Sequence, residues 1–403
     1  MIQTIYNCKQ VDAYLCFLMM APEQIEQLYA AIKTKYFGHR YTPPSVLNQL
    51  VRGAKSQGIF KAVGTSIQGR EIGYVELGNG KNKILAWSQM HGDESTTTRG
   101  LIDLFSFLNQ KEYQTDIVSS ILETYNLRFV FQLNPDGAHA YSRENALGFD
   151  LNRDAITQIQ PESKLLDELV TEFKPDLCLN CHDQRSLYSI DKDITPPVIS
   201  FLSPAADKGL GLTQSRLKAM EYIISAQSQL QNSGFDKVGR YDESFCASCF
   251  GDYFQSKGIP TLLIESGHII GDYQREKSRF VVFLALLGIL NHQAKKPLDA
   301  KEVVNRYFNI PENQNMLRDI VLKNVCYQGK TVDIGLQNRY ILYQGSLKLE
   351  TYVHDIVTPG TILGYKMHDI NAEEILINSH ENDFENKLIV TILLKKSGLL
   401  IKI

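Results

Sequence analysis

The sequence predicts an α/β fold, with helices packed on a central sheet, followed by a small β-rich domain. Three observations point there. From about residue 60 to about residue 290, apolar runs of strand length alternate with amphipathic stretches of helical length, the grammar of strand–helix–strand units. Strand-like runs in this region end on residues able to do chemistry, namely His91, Asn134, His182 and Glu265. Ligands of open α/β sheets collect beyond the carboxyl ends of the strands, so these endings belong together on one rim. Further on, apolar and polar residues alternate around Gln328-Gly329, Gln344-Gly345 and Pro359-Gly360, the pattern of strands joined by turns.

Taken in order, residues 21–57 read as helical, with Ile25, Leu28 and Ile32 on one face and a break at Tyr41-Thr42-Pro43-Pro44. Val46, Leu47, Leu50 and Val51 suggest a second short helix. The chain turns β-like from Phe60 to Leu77, and Gly78-Asn79-Gly80 marks a turn. Ile84-Leu85-Ala86-Trp87 is an apolar strand that stops near Met90. Ser95-Thr96-Thr97-Thr98 then offers capping hydroxyls to an amphipathic helix carrying Leu101, Leu104, Phe105 and Leu108. A strand Leu127–Leu133 ends in Asn134-Pro135-Asp136-Gly137, and a helix Leu165–Phe173 precedes a strand Asp176–Cys181 that delivers His182. A strand Val198–Leu202, a helix Leu212–Leu230, a buried-type strand Pro260–Glu265 and an apolar helix Arg279–Leu290 follow. Lys295-Lys296-Pro297 reads as a boundary. The expected division is a helical segment (1–57), a large α/β domain (58–294) and a β-rich domain (298–403) with no catalytic constellation of its own.

At 403 residues the chain exceeds what one core usually serves, which fits that division. A hydrophobic fraction of 43% and a charged fraction of 22% are those of a globular protein. With a net charge of −3 and no Lys/Arg run longer than a pair, nothing attracts nucleic acid. Tyr14-Leu15-Cys16-Phe17-Leu18-Met19-Met20 resembles the apolar core of a signal peptide. It is too short to span a bilayer, lacks a basic leader and an A-x-A site, and follows Asp12, so translation from Met19 or Met20 and a cytoplasmic protein are expected. Seven cysteines, at 8, 16, 178, 181, 246, 249 and 326, do not make a secreted disulfide framework and fit a reducing compartment. Two C-x-x-C pairs, Cys178/Cys181 and Cys246/Cys249, raise the idea of a four-thiolate zinc site. Against it, Cys178 lies in the strand-like Leu177-Cys178-Leu179, where residues three apart face opposite sides, and the pairs are too far apart for a zinc ribbon.

His91 and Glu94, three residues apart in the bend between a strand and a helix, can converge on one ion. Alone, H-x-x-E is weak and often marks a surface turn. Adding His182 completes the two nitrogens and one carboxylate of a catalytic zinc site, which leaves a fourth position for water. Such an ion lowers the pKa of water to about 7 and polarises a carbonyl. Glu265, at a neighbouring strand end, is placed to take a proton from the water and pass it to a leaving amine. Taken singly, His182 reads as a satisfied core histidine and Glu265 as a strand-end cap. Their shared placement is what argues for chemistry.

These residues, in this order, together with Asn134-Pro135-Asp136-Gly137, Arg143, Gly148-Phe149-Asp150-Leu151-Asn152-Arg153 and Ile264-Glu265, resemble the zinc carboxypeptidase family over roughly residues 60 to 290. That family includes pancreatic and cytosolic carboxypeptidases. The resemblance implies a mixed central sheet flanked by helices, and one zinc ion per chain held by His91, Glu94 and His182, with Glu265 as general base and acid. It places Arg143 where a guanidinium steadies the tetrahedral oxyanion, and Asn152 and Arg153 on a substrate's terminal carboxylate. Asp150 matches the acid that hydrogen-bonds a zinc-bound imidazole and fixes its tautomer. The family's mobile tyrosine falls on Tyr241, with Tyr253 as the alternative. Pancreatic-type members carry Arg immediately before the ligand glutamate, whereas this chain has Asp93, so one cationic contact to substrate is missing. The helical lead-in and the β-rich tail lie outside the family's core pattern.

The implied activity is removal of a C-terminal residue from a peptide, with neither nucleic acid nor membrane as partner. Within the same fold, a deacylase or desuccinylase acting on N-acyl amino acids is the alternative, since that substrate also presents a free carboxylate. A binding module that kept the fold and lost activity is the other class. It is disfavoured because every ligand and the general base are in place.

Overall fold

The computed structural model describes residues 22–34, 40–109, 116–292, 298–378, 391–394 and 400–402. Cys8, Cys16, the apolar Tyr14–Met20 stretch and the expected boundary at Lys295-Lys296-Pro297 lie outside the described residues.

The strands are β1 (Phe60–Thr65), β2 (Glu71–Leu77), β3 (Asn82–Ser88), β4 (Tyr125–Val130), β5 (Leu177–Asp183), β6 (Tyr188–Ser189), β7 (Ile199–Leu202), β8 (Val238–Arg240) and β9 (Thr261–Ser266). All but β6 join one sheet in the order β1-β2-β4-β3-β5-β9-β7-β8. The central strands β4, β3, β5 and β9 run parallel, while β2 is antiparallel to β4 and β7 antiparallel to β9. This is the mixed α/β sheet flanked by helices that was expected. Its parallel strands read as unbroken apolar runs because both faces are covered. On β3, Ile84 and Ala86 enter the core beneath the helices Thr96–Asn109, Gln214–Asn232 and Glu276–Leu290, while Leu85 and Trp87 enter the core beneath Pro161–Phe173 and Phe250–Ser256.

Helix Glu276–Leu290 is buried continuously from Ser278 to Leu290, which is why its sequence is apolar on every side. It begins three residues before the expected Arg279 because the Asp272 carboxylate accepts from the Glu276 and Ser278 N–H groups at 2.9 and 2.8 Å. Strand β4 ends at Val130, short of the apolar run, and the Leu133 and Asn134 N–H groups then reach the Ser88 and Gln89 carbonyls at 3.1 and 3.0 Å.

The N-terminal helix Pro22–Ile32 buries Ile25, Tyr29 and Ile32 in the same core, with the Tyr29 ring against Phe280 and Phe283. The Tyr29 hydroxyl donates to Asp103 at 2.7 Å, and the same fully buried carboxylate takes two bonds of 2.6 Å from Arg279. Two charges removed from water are tolerable here because they face each other with nearly every lone pair used. Helix Ala300–Phe308 also joins this core through Val303 and Tyr307, and the Tyr307 hydroxyl accepts from Ser203 N–H at 3.0 Å.

A second compact unit takes Gln184–Pro197 and the chain from Asn313 onward. In it β10 (Gln314–Asn315) pairs with β6, and β11 (Leu317–Tyr327), β12 (Lys330–Tyr343), β13 (Ser346–Val357) and β14 (Leu363–Asp369) form a sheet in the order β13-β12-β11-β14. A three-stranded sheet of Ile375–Asn378, Thr391–Leu394 and Leu400–Lys402 completes the described part. Two hairpins turn on Gln328-Gly329 and Gln344-Gly345, where φ is 50° and 75°, then 50° and 78°. Positive φ at both turn residues matches the twist of the flanking strands. Among the described residues, no helix is long and apolar enough to cross a membrane.

Candidate active site

The loop that carries His91 and Glu94 is shaped by the turn that ends β4. Past β3, Gln89 takes a left-handed φ of 45° and its side chain donates to the Gly92 carbonyl at 2.8 Å. A Cβ on Gly92 would lie 1.9 Å from the Gly137 carbonyl carbon, so backbone meets backbone here and only glycine fits. Asn134 serves both sides of that contact. Its Oδ1 accepts from Gly137 N–H at 2.8 Å, capping helix Pro135–Ala140, and its Nδ2 donates to the Met90 carbonyl at 3.2 Å. The Asn-Pro-Asp-Gly run is thus a clamp on the residue before His91.

Strand register supplies the rest of the rim. Ser88 at the end of β3 pairs with Cys181 of β5, and His182 pairs with Glu265 of β9, which sets the second imidazole beside that carboxylate. The next residue, Asp183, accepts from the Thr96 and Thr97 N–H groups at 2.8 and 3.1 Å. A carboxylate at a helix N-terminus satisfies free donors and complements the helix dipole, so β5 is fastened to the helix that follows Glu94. Buried Arg275 supports the junction, donating to Thr96 Oγ1 at 3.2 Å. Neither Asp183 nor Arg275 stands out in the sequence, although Asp183 directly follows His182.

The three metal-type residues converge, with one donor atom from each of His91, Glu94 and His182 within 4.8 Å of the others. His91 Nδ1 is 2.9 Å from Glu94 Oε1, His182 Nδ1 is 2.8 Å from Glu94 Oε2, and the two Nδ1 atoms are 3.1 Å apart. Behind His91, Nε2 lies 3.0 Å from Asp150 Oδ1. A proton on Nε2 serves that bond and leaves the Nδ1 lone pair facing a carboxylate oxygen, a second ring nitrogen and Arg143 Nη1 at 3.1 Å. One cation satisfies the two nitrogens and the carboxylate, whereas a proton on each Nδ1 would set two N–H groups against each other. A tetrahedral site with metal–ligand distances of about 2.0–2.1 Å has edges of roughly 3.3 Å, close to these separations. The donor set therefore fits zinc.

Electrostatics agree. Burial penalises the Glu94 carboxylate, but His91 and His182 outweigh it and hold the group well below the usual range. Burial opposes a charged ring at His91 too, yet Glu94 and Asp150 push its pKa up to about 9. His182 is held below its ordinary value, chiefly by burial. Glu265 goes the other way, pushed well above the carboxylate range by burial and then by the Glu94 charge. Asp93 is pushed up to about 6 by the same two causes.

Arg143 and Asp150 close the cluster. Arg143 donates through Nε and Nη2 to Asp150 Oδ2 at 3.1 and 2.9 Å, and its Nη1 lies 3.3 Å from Glu94 Oε1. Asp150 also caps the short turn Leu151–Arg153, accepting from Asn152 N–H at 2.9 Å, so Asn152 and Arg153 leave the cluster on a fixed backbone. Asn152 Oδ1 accepts from Phe250 N–H at 3.0 Å, and Arg153 Nη1 donates to Cys249 Sγ at 3.1 Å. Tyr241 lies one residue past β8, in which Gly239 is level with Ser200 of β7 and through it with Glu265 of β9, and the Tyr241 N–H donates to the Phe201 carbonyl at 3.0 Å. The Tyr253 hydroxyl is bound by Gln158 Nε2 at 3.1 Å and by Lys257.

The rim of the mixed sheet thus gathers two imidazoles and a carboxylate, with an acid behind one imidazole and a second, half-buried carboxylate beside the other. Residues 46–172 match the family model described as zinc carboxypeptidase. The chain is 27% identical over 237 residues to Carboxypeptidase 2 of Trichophyton tonsurans, covering 49% of this chain and 43% of that protein. It is 28% identical over 139 residues to Carboxypeptidase SOL1 of Arabidopsis thaliana, covering 33% and 26%. The chain thus spans less than half the length of these curated relatives. The crystal structure of thrombin activatable fibrinolysis inhibitor superposes with a TM-score of 0.51 at 12% identity, over 70% of this chain and 80% of that one, which speaks for the fold.

Proposed function

We propose that this protein is a zinc-dependent metallocarboxypeptidase that hydrolyses the C-terminal amide bond of a peptide. The observation that carries the proposal is the convergence of His91, Glu94 and His182 next to a half-buried carboxylate on the adjoining strand. Those three residues would hold one zinc ion per chain, which when bound supplies a Lewis acid for water and for the scissile carbonyl. As a carboxylate, Glu265 takes the proton of the attacking water and delivers it to the leaving amine, and burial, which raises its affinity for a proton, suits it to hold that proton in between. Asp150 keeps the His91 proton on Nε2 and braces Arg143, whose guanidinium is then a fixed donor for the developing oxyanion. Asn152 and Arg153 receive the substrate's terminal carboxylate, for which a planar fork is well shaped. Tyr241, on the loop between β8 and helix Phe250–Ser256, is the phenol assigned to the substrate side. Free thiols at Cys178, Cys181, Cys246, Cys249 and Cys326 support a reducing, cytoplasmic setting.

A deacylase of N-acyl amino acids is the second reading, because Arg153 serves a small acyl-amino acid equally well. A C-terminal ladder of peptides assayed beside N-acyl amino acids separates the two, and turnover of the latter alone would overturn the first. Purified protein is expected to contain about one zinc per chain. Glu265→Gln should retain that zinc while losing roughly a hundredfold to ten-thousandfold in kcat, and undiminished turnover would remove Glu265 from the mechanism.

A further inference from the structure

We infer that Cys246 and Cys249 form a thiol–disulfide exchange site that acts on Arg153, the residue proposed to hold the substrate carboxylate. The inference rests on that proposed role for its kinetic consequence and on geometry for the exchange itself.

The loop carries Cys246-Ala247-Ser248-Cys249 directly ahead of helix Phe250–Ser256. Cys249 N–H donates to the Cys246 carbonyl at 2.8 Å, closing a turn of the kind that keeps its end Cα atoms under about 7 Å, near the span a disulfide bridges. Both thiols are half-buried and reachable, whereas Cys178 and Cys181 are sealed inside the sheet. The two thiols of the loop are unlike. Partial burial works against the Cys246 thiolate, but hydrogen bonds with Cys249 and Ser248, and then the Arg153 charge, hold the thiol below its usual range. Burial, and then the bond to Cys246, push Cys249 far up. That is the division of labour between an attacking thiol and a resolving one.

The same loop is fastened to the turn bearing Asn152 and Arg153. Ala155 N–H donates to the Ser248 carbonyl at 3.2 Å, Phe250 N–H to Asn152 Oδ1 at 3.0 Å, and Arg153 Nη1 to Cys249 Sγ at 3.1 Å. Closing the disulfide swings Cys249 Sγ toward Cys246 and off the guanidinium, which loses one of two contacts that orient it and keeps the bond from Nη1 to the Asn152 carbonyl at 2.8 Å. With a glutathione disulfide as oxidant, the Cys246 thiolate attacks one sulfur, the glutathione S–S bond breaks, and one glutathione thiolate leaves and takes up the proton Cys246 released. Cys249 then attacks the Cys246 sulfur of the mixed disulfide, expelling the second glutathione, which takes the Cys249 proton. Two protein thiols become one disulfide, and one glutathione disulfide becomes two thiols.

The test uses full-length protein with stoichiometric zinc, equilibrated in graded mixtures of reduced and oxidised glutathione, then alkylated and mapped by mass spectrometry. Cys246 and Cys249 are expected to lose alkylation together and to regain it with excess reduced glutathione, while Cys178 and Cys181 stay protected until unfolding. KM for a peptide with a free C-terminus should rise about threefold to tenfold on oxidation with kcat nearly unchanged, the loss of one hydrogen bond's worth of carboxylate binding. Cys246→Ser, checked for folding by its Tm, should match the reduced enzyme at every glutathione ratio. Failure of the pair to oxidise would overturn the exchange site, and oxidation that leaves KM where Cys246→Ser has it would overturn the action on Arg153. If neither redox state turns over a peptide, the carboxypeptidase reading falls, and alkylation still decides the disulfide.

Discussion

Replacing Asp150 by Asn isolates how much of the proposed metal site is built from behind. The carboxylate of Asp150 receives His91 Nε2 at 3.0 Å and Asn152 N–H at 2.9 Å on one oxygen, and Arg143 Nε and Nη2 on the other at 3.1 and 2.9 Å. Every partner is a donor, and an amide offers only one acceptor. If the new oxygen faces His91, the amide N–H₂ meets Arg143, donor against donor, and the guanidinium is released. If it faces Arg143, the amide N–H₂ meets His91 Nε2, which must then accept and carry its proton on Nδ1, where it blocks ligation. Partners of this kind are typically worth tenfold to a hundredfold in metal affinity, or about 1.4–2.8 kcal/mol. Asp150→Asn should therefore weaken zinc by about that factor in competition with a chromogenic chelator. At saturating zinc, kcat/KM should stay depressed, because Arg143 is no longer braced. Unchanged zinc affinity together with unchanged kcat/KM would refute the assignment of the His91 tautomer to Asp150.

Other outcomes follow from the same geometry. Gly92→Ala drives a methyl into the Gly137 backbone, and both sides of the contact are main chain, so a loss of about 1–3 kcal/mol in denaturant unfolding is expected together with weakened zinc binding. Asp103→Asn leaves the buried Arg279 charge with only Glu276, 3.8 Å away, as counter-ion and should cost about 3 kcal/mol, read as a fall in the midpoint of chemical unfolding. Burial pushes Asp252 up to about 6 from an ordinary 3.8, so the folded state binds its proton more tightly than the unfolded chain does. The stability this contributes is present at low pH and is lost as pH rises through that interval. Asp252→Asn should accordingly raise Tm at about pH 7 and leave it nearly unchanged at about pH 4, and an equal shift at both would count against the buried acid.

Much of the site is legible in the sequence because strand ends carry it. Parallel strands buried on both faces print as Ile84–Trp87 or Thr261–Ile264, and the residue where such a run stops is where a side chain emerges on the rim. The parts that stay hidden depend on partners distant in sequence. Asp183 looks like any strand-end acid until β5 is laid beside β3 and it meets the Thr96 helix. Tyr29 is not singled out by the periodicity that picks Ile25, Leu28 and Ile32, and its bond to Asp103 and hence to Arg279 joins residues far apart in the chain. The kinship of Gln184–Pro197 with the β-rich unit leaves no periodic trace, since it rests on a two-residue strand paired with another of equal length.

The carboxylate of Asp183 also makes the rim observable from a distance. Because Thr96 and Thr97 rely on it, their amide protons should exchange with solvent at a pace set by how firmly β5 stays docked beside β3, not by fraying of their own helix. Slower deuterium uptake at those two amides on adding zinc would register occupancy of the centre without any substrate present.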